Sequence, residues 1–281
     1  MEPLHATVGH TVGAESPRFT HPMPIVLDEN AIRDRVVHYM RQPSVVRGIR
    51  EMLADRFLLA FFLMSVSEGE AMGEAGVAAI REEEVARLVA DIERQQQEEA
   101  GHKELSLDLA RSLFPEYFGP EGYYRYQQQL TGRAYYLRVL QENRDRLRAR
   151  GRYSRLNLYL TTTFGYEIMV GLYYGAVLDA VERSDMPSEL RGAVARQLRR
   201  ILAEEDTHLS IATQHDALLR ADRSGLSERT VALLDDLAKL SAEDYEWAAD
   251  LSVREVVRLV GDYARGPAFR KDIEAAAVAE G

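Results

Sequence analysis

From about Ile32 onward, apolar residues recur at intervals of three and four positions, the spacing that one buried face of an α-helix produces. The same stretch is rich in Ala, Leu, Arg and Glu, which are good helix formers. No window alternates apolar and polar residues in the way that a half-buried β-strand does. The pattern therefore predicts an all-α fold.

Clusters of glycine, proline and small polar residues predict where these helices end. The candidate breaks are 73–76, 115–122, Gly151, 184–188, 222–225 and 266–267. They divide the chain into six or seven helices, with C-terminal helices from about residue 226. Residues 1–30 lack helical periodicity and are predicted to form an extended or flexible N-terminal arm. Because no linker interrupts residues 31–281, we expect them to form a single helical domain.

Two short stretches share the pattern Glu-x-x-His, one at Glu99 and His102 and the other at Glu205 and His208. Residues three apart lie on one face of a helix, so a carboxylate and an imidazole can hold one metal ion between them. The spacing alone is a weak signal, because it also arises by chance. Each motif, however, continues an apolar stripe, which predicts that both point inward. The preceding residues, Glu98 and Glu204, lie off these stripes and are predicted to be solvated or to sit behind the ligands.

Two further carboxylates lie in apolar surroundings. Glu167 is the only charged residue between Arg155 and Asp179. Burying a lone ionised carboxylate costs several kcal/mol unless the charge is paired or bound to a metal. Glu68 follows an uncharged run and shares a helical stripe with Phe61 and Met64, while Glu70 is a rival for the same role. These residues predict the remaining ligands of a metal site.

The order Glu, Glu-x-x-His, Glu, Glu-x-x-His on four successive helices resembles the ferritin-like di-iron carboxylate oxygenase and oxidase superfamily. Acyl-carrier desaturases and arylamine N-oxygenases have a similar ligand pattern. The resemblance covers about residues 45–220 and implies a ferritin-like four-helix bundle with one long crossover and additional flanking helices. The long separation between His102 and Glu167 leaves room for that crossover.

The resemblance also implies a ligand set, which carries the catalytic chemistry as well as the metals: Glu68, Glu99, His102, Glu167, Glu205 and His208. Two iron ions per chain are implied, with manganese as an alternative, and Glu99 and Glu205 are expected to bridge them. The implied activity is that of an O2-dependent oxidoreductase that hydroxylates, N-oxygenates or desaturates a small or carrier-bound organic substrate. An electron donor or reductase is then required.

Residues one turn from these ligands are predicted to line the substrate pocket. They are mostly apolar or small, which favours an organic substrate: Met64, Ser65, Ser106, Thr163, Gly171 and Ile201.

Departures from individual families narrow this prediction. Ser106 stands where ribonucleotide reductase small subunits place a radical tyrosine, and Ile201 stands where arylamine N-oxygenases add a third histidine. The chain has no cysteine, so the cysteine-bound iron of rubrerythrins is excluded. Two alternatives stay open: a ferroxidase or metal-storage bundle without organic substrate, and a helical scaffold in which the motifs are coincidental.

Charge and composition limit the partners. The formal net charge of −10 argues against broad nucleic-acid binding, which needs a basic surface. The longest strongly apolar run, 57–66, is too short for a membrane span, and no signal-peptide pattern opens the chain. We therefore expect a cytoplasmic protein without a membrane partner, and a homodimer stays open. The arginines between 144 and 155 are interpreted either as a charged connection or as a docking patch for an anionic partner.

Overall fold

The computed structural model describes residues 25, 27–81, 84–115 and 130–279, and all regular structure among these residues is helical. The prediction of an all-α helical bundle is therefore confirmed. The helices are α1 (Glu29–Met40), α2 (Pro43–Ala54), α3 (Arg56–Arg81), α4 (Ile92–Leu113), α5 (Thr131–Ala149), α6 (Arg155–Glu182), α7 (Ser188–Ala212), α8 (His215–Leu219), α9 (Glu228–Leu237), α10 (Ala242–Tyr263) and α11 (Pro267–Ala279), with a 3₁₀ turn at Glu84–Leu88. Residues 1–24 of the predicted arm lie outside the described residues, and its last two positions already belong to α1.

Helices α3, α4, α6 and α7 form a four-helix bundle in which neighbours run antiparallel. Phe57 at the start of α3 meets Phe114 just beyond the end of α4, with ring centroids 6.0 Å apart. The end of α6 likewise meets α7, because Arg199 pairs with Glu182. The bundle order along the chain is therefore two antiparallel hairpins, α3–α4 and α6–α7.

The two hairpins pack with α4 antiparallel to α7 and α3 antiparallel to α6. The side chain of Gln197 donates a 3.0 Å hydrogen bond to Ser106, while Phe62 packs against Tyr173. Helices α4 and α6 therefore run in the same direction, so the connection between them spans the length of the bundle and contains α5. This is the long connection that the sequence separation predicts; kinship with ferritin-like proteins beyond this arrangement stays a prediction.

The predicted break at 73–76 is wrong, because α3 continues through both glycines to Arg81. Their role is close packing instead of helix termination. A Cβ atom on Gly73 would lie 3.1 Å from a carboxylate oxygen of Glu99, and one on Gly76 would lie 2.8 Å from the hydroxyl of Tyr136. The predicted breaks at Gly151, Gly225 and Gly266 are confirmed, since all three adopt positive φ between helices.

Helix α6 is the centre of the fold and is buried on most of its circumference. The bundle partners cover one side, and α10 crosses the other so closely that a Cβ atom on Gly165 would lie 2.7 Å from the carbonyl oxygen of Ala248. A helix that is apolar nearly all round needs this enclosure. The single carboxylate on its buried middle turns, Glu167, is consequently held deep inside the protein.

The arginines between 144 and 155 contact α10. Arg146 and Arg150 both donate to Glu243, and Arg152 donates to Asp244. Arg146 also lies 4.6 Å from the centroid of the Trp247 ring. These contacts favour the interpretation of these arginines as a charged connection that fastens the turn between α5 and α6 to α10.

None of the described helices is both long and apolar enough to cross a membrane.

The crossing of α5 over α3 gives a first prediction, at Gly132. A Cβ atom there would lie 1.7 Å from the carbonyl oxygen of Ser65, so Gly132→Ala should force the two helices apart and destabilise the protein by about 1–3 kcal/mol. Urea unfolding measures the effect. The matched control is Gly261→Ala in α10, where nothing lies within 4 Å and the substitution should stabilise by roughly 0.5–1 kcal/mol. Equal effects at both positions would contradict the close crossing.

Candidate metal centre

Four helices bring six potential ligands together in the middle of the bundle. All six are buried, and none of these residues is more than 6% exposed: Glu70, Glu99, His102, Glu167, Glu205 and His208. Ligand atoms of Glu70, Glu99 and His102 lie within 4.8 Å of one another, as do those of Glu99, Glu167 and His208. Glu205 completes the cluster with an oxygen 3.9 Å from Nδ1 of His208. Because Glu99 belongs to both groups, the arrangement has room for two adjacent ions that share it.

The two imidazoles are oriented by the glutamates that precede the motifs. His102 donates from Nε2 to Glu204, at 2.6 Å, and His208 donates from Nε2 to Glu98, at 3.0 Å. A carboxylate can only accept here, so these contacts place the proton on Nε2 and leave Nδ1 of each ring free to bind a cation. In each Glu-Glu-x-x-His motif, the second glutamate therefore belongs to the cluster, and the first glutamate orients the histidine of the other motif.

Several buried polar atoms in this cluster have no hydrogen-bond partner. They are Glu70 Oε1, Glu99 Oε2, His102 Nδ1, Glu167 Oε2 and Glu205 Oε2. Buried polar atoms are nearly always satisfied, so these five lone-pair donors have the chemistry to hold a cation. Four carboxylates and two neutral imidazoles carry four negative charges, which two divalent ions balance. Oxygen and nitrogen ligands without sulfur suit iron or manganese, whereas zinc favours smaller tetrahedral sets.

The electrostatics of the cluster agree with this fit. Burial raises the pKa of Glu70 to about 7. It also raises the pKa values of Glu99, Glu167 and Glu205 well above their ordinary range, and the neighbouring carboxylates add to the effect. A metal-free site is therefore one in which these glutamates resist ionisation. A cation between them would restore the charged form and release protons as it binds.

The two histidines respond to the cluster in opposite directions. Burial lowers the pKa of His102. Burial also opposes the charged form of His208, but the nearby Glu99 and Glu205 outweigh it and raise the pKa of that imidazole. The difference follows from position, because Nδ1 of His208 lies within 3.9 Å of three carboxylates.

The α3 glutamate that joins the cluster is Glu70 in this structure, whereas the sequence favours Glu68, with Glu70 as a rival. Glu70 has an oxygen 3.5 Å from Nδ1 of His102. Glu68 accepts a 2.7 Å hydrogen bond from Arg133 of α5 and lies outside the two ligand groups. Two positions along a helix turn the side chain by about 200°, so only one of the two glutamates can face the cluster.

Three residues that the sequence analysis did not single out support the ligands. Gln95 donates to Glu167, at 3.4 Å, and itself accepts a 2.7 Å hydrogen bond from the hydroxyl of Tyr159. Tyr166 hydrogen-bonds to Glu70. A signal for Gln95 was present in the sequence, since it lies on the same inward stripe as Ile92 and Glu99 and is polar there.

The structure does not gather the predicted substrate-lining residues into one chamber. Met64, Ser106 and Ile201 are fully buried in the packed core, and Thr163 is nearly so. Ser65 lines a small cavity of about 40 Å³ beside Tyr166. Gly171 lines a separate surface groove of about 550 Å³ between α1, α2 and α6. Spacing from the ligands along each helix was therefore a poor guide to which residues share a cavity.

Comparison with protein-family models, with curated proteins and with solved structures finds no match for this chain. The inference about function consequently rests on the buried cluster itself.

The ligand assignment on α3 predicts different outcomes for two neighbouring substitutions. Glu70→Gln should weaken metal binding strongly, because it removes a charged ligand, and should leave the fold intact. Glu68→Gln should leave metal binding unchanged but destabilise the protein by about 1–3 kcal/mol, since it weakens the charged hydrogen bond to Arg133. Anaerobic Fe(II) titration and urea unfolding of both variants measure the two effects. The reverse pattern would restore Glu68 as the ligand.

The raised carboxyl pKa values predict how the metal-free protein responds to pH. Glu70 titrates near 4.5 when unfolded and near 7 when folded, so the folded state holds its proton more tightly in this range. The contribution of Glu70 to the free energy of unfolding is therefore complete below about pH 4.5. It is lost as the pH rises through about 7, and the total loss is up to roughly 3 kcal/mol. Urea unfolding in the presence of a chelator should therefore show stability falling from about pH 5 to pH 8.

Two additions test whether this pH dependence comes from the cluster. Glu70→Gln, which cannot titrate, should flatten the decline. Fe(II) or Mn(II) added anaerobically at the high-pH end should restore stability by binding the folded state. A metal-free protein that gains stability over this interval would contradict the assignment.

Proposed function

We propose that this protein binds two iron ions in the bundle and acts as an O2-dependent oxidoreductase. The observation that carries the proposal is the set of five buried, unpartnered ligand atoms contributed by four helices. Manganese fits the same ligand chemistry and is the alternative metal. The arrangement also agrees with the resemblance to ferritin-like di-iron carboxylate proteins that the motif order suggests.

The chain's residues would divide the binding between them. Glu70 and His102 would hold one ion and Glu167 and His208 the other, with Glu99 shared. Glu205, with an oxygen 3.9 Å from Nδ1 of His208, would complete the set from α7. Glu98 and Glu204 would keep the imidazole rings in the binding orientation through their hydrogen bonds to Nε2. When bound, two ferrous ions supply the electrons with which O2 is reduced.

The surrounding residues would exclude bulk water from that chemistry. Met64, Leu198 and Ile201 are fully buried around the ligand-bearing turns, and the ligands themselves are nearly inaccessible. A dry site strengthens electrostatic interactions and limits side reactions of a strong oxidant. This setting favours oxidation of an organic substrate, small or carrier-bound, over storage of hydrated metal. Repeated turnover would require an electron donor or reductase.

Metal counting and O2 consumption test the proposal together. Anaerobic protein titrated with Fe(II) should bind about two ions per chain, and Glu167→Ala should bind about one. Reduced, iron-loaded protein should then consume O2 in a single stoichiometric phase that Glu167→Ala abolishes. Absence of binding, or one tetrahedral zinc, would reject the metal centre. Continuous uptake of iron with mineral formation would instead favour ferroxidase and storage activity.

A further inference from the structure

A long groove runs along α6 on the face turned toward α1 and α2. Two cavities, of about 550 and 1180 Å³, form it and share Val46, Ala180 and Arg183 in their linings. The larger one opens at the bundle end where α3 begins and α4 ends. We call the two together the α6 groove. None of the six clustered ligands lines it.

The floor of the α6 groove is made of small and aliphatic residues. Gly171 and Gly175 both face open space, since a Cβ atom on either would meet nothing within 4 Å. Ala176 and Ala180 continue the floor toward the end of α6, and Val46 on the opposite wall is 50% exposed. An extended apolar surface left open on a folded protein marks a site for an apolar ligand or partner.

The rim of the α6 groove carries four arginines, although the chain as a whole is acidic: Arg41, Arg50, Arg56 and Arg183. Three acidic residues also line it: Asp179, Asp185 and Glu189. Only Arg183 among the four arginines is ion-paired within the described part of the chain, to the exposed Asp179 at 3.4 Å. Guanidinium groups without a carboxylate partner beside an apolar floor are complementary to an anionic head on an apolar chain.

We propose that the α6 groove binds a long-chain fatty carboxylate, with its chain on the glycine and alanine floor and its carboxylate on the rim arginines at the end of α6. The distance suits such a ligand, because the twelve residue steps from Gly171 to Arg183 span about 18 Å of helix. An extended alkyl chain advances about 1.3 Å per C–C bond, so this length corresponds to roughly fourteen bonds, and dodecanoate fits within it.

The α6 groove is a site in addition to the metal centre. Its inner end approaches that centre, since Gly171 follows Glu167 by one helical turn, or about 6 Å along the axis. Binding itself needs no metal, so it can be measured on metal-free protein. Failure of this inference would leave the proposed metal centre intact, and failure of the metal centre would leave the groove to be judged separately.

Equilibrium dialysis of radiolabelled dodecanoate against the full-length, metal-free protein tests the site at ligand concentrations below micelle formation. Wild type should bind dodecanoate saturably. Gly175→Leu should weaken binding by at least about tenfold, because the new side chain fills the floor. It should not destabilise the fold, since the position is open and Leu is the better helix former by roughly 1 kcal/mol. The matched control is Gly261→Leu on α10, another open position, which should bind as wild type does.

A charge comparison tests the rim. The double variant Arg50→Gln with Arg183→Gln should weaken dodecanoate binding by about tenfold, the loss expected for charged hydrogen bonds, and should leave the weak binding of methyl dodecanoate unchanged. Equal affinity of wild type for the acid and the ester would overturn the role of the arginines. Dodecanoate binding that Gly175→Leu leaves intact would overturn the location. A change in sedimentation of Gly175→Leu without a change in dodecanoate affinity would assign the α6 groove to contact between copies of the chain and reject the proposal.

Discussion

The fold encloses a concentration of acidic groups that resist ionisation near neutral pH because they are buried together. Four glutamates and two histidines occupy the centre of the bundle with almost no access to water, and no lysine or arginine among the described residues pairs with the four clustered carboxylates. Desolvation raises the pKa of each glutamate, and repulsion from neighbouring carboxylates adds to the effect for all four. Such an arrangement costs folding free energy unless ions occupy it, which links metal binding directly to stability.

The rest of the structure holds this cluster in position. Glu98 and Glu204 orient the imidazoles across the α4–α7 interface, and Gln95 steadies Glu167. Glycines permit the close approaches that the site needs, most directly at Gly73, which leaves space for the carboxylate of Glu99. Helices α5 and α10 enclose α6 from outside the bundle, so Glu167 on its buried middle turns is only 3% exposed. The ligands are thus fixed by rigid helices, which is the condition for a well-defined metal site.

Predictions from sequence succeeded where a residue's chemistry conflicted with its surroundings. Glu167 in an apolar helix and the two inward Glu-x-x-His motifs identified five of the six clustered residues, because a buried ionisable group needs a specific reason to be there. The sequence left the choice between Glu68 and Glu70 open for a physical reason. Every residue from Phe57 to Ser67 is buried, so the apolar stripe that would define the inward direction of α3 is absent. The helix break predicted at Gly73 and Gly76 was wrong for a similar reason, since nothing in the local sequence distinguishes a glycine that ends a helix from one that allows a close contact.

The sequence by itself determined the helical class, the inward direction of the paired motifs and the acidic character of the site, because these depend on periodicity and composition within single helices. Only the tertiary structure decided which glutamate of α3 joins the cluster, which partner fixes each histidine, and which cavity each neighbouring residue lines. Those features depend on the rotation and crossing of helices that are distant along the chain. Gly171 illustrates the difference: it lies one turn from Glu167 along α6, yet it faces a surface groove, because the neighbouring helices decide what each side of α6 meets.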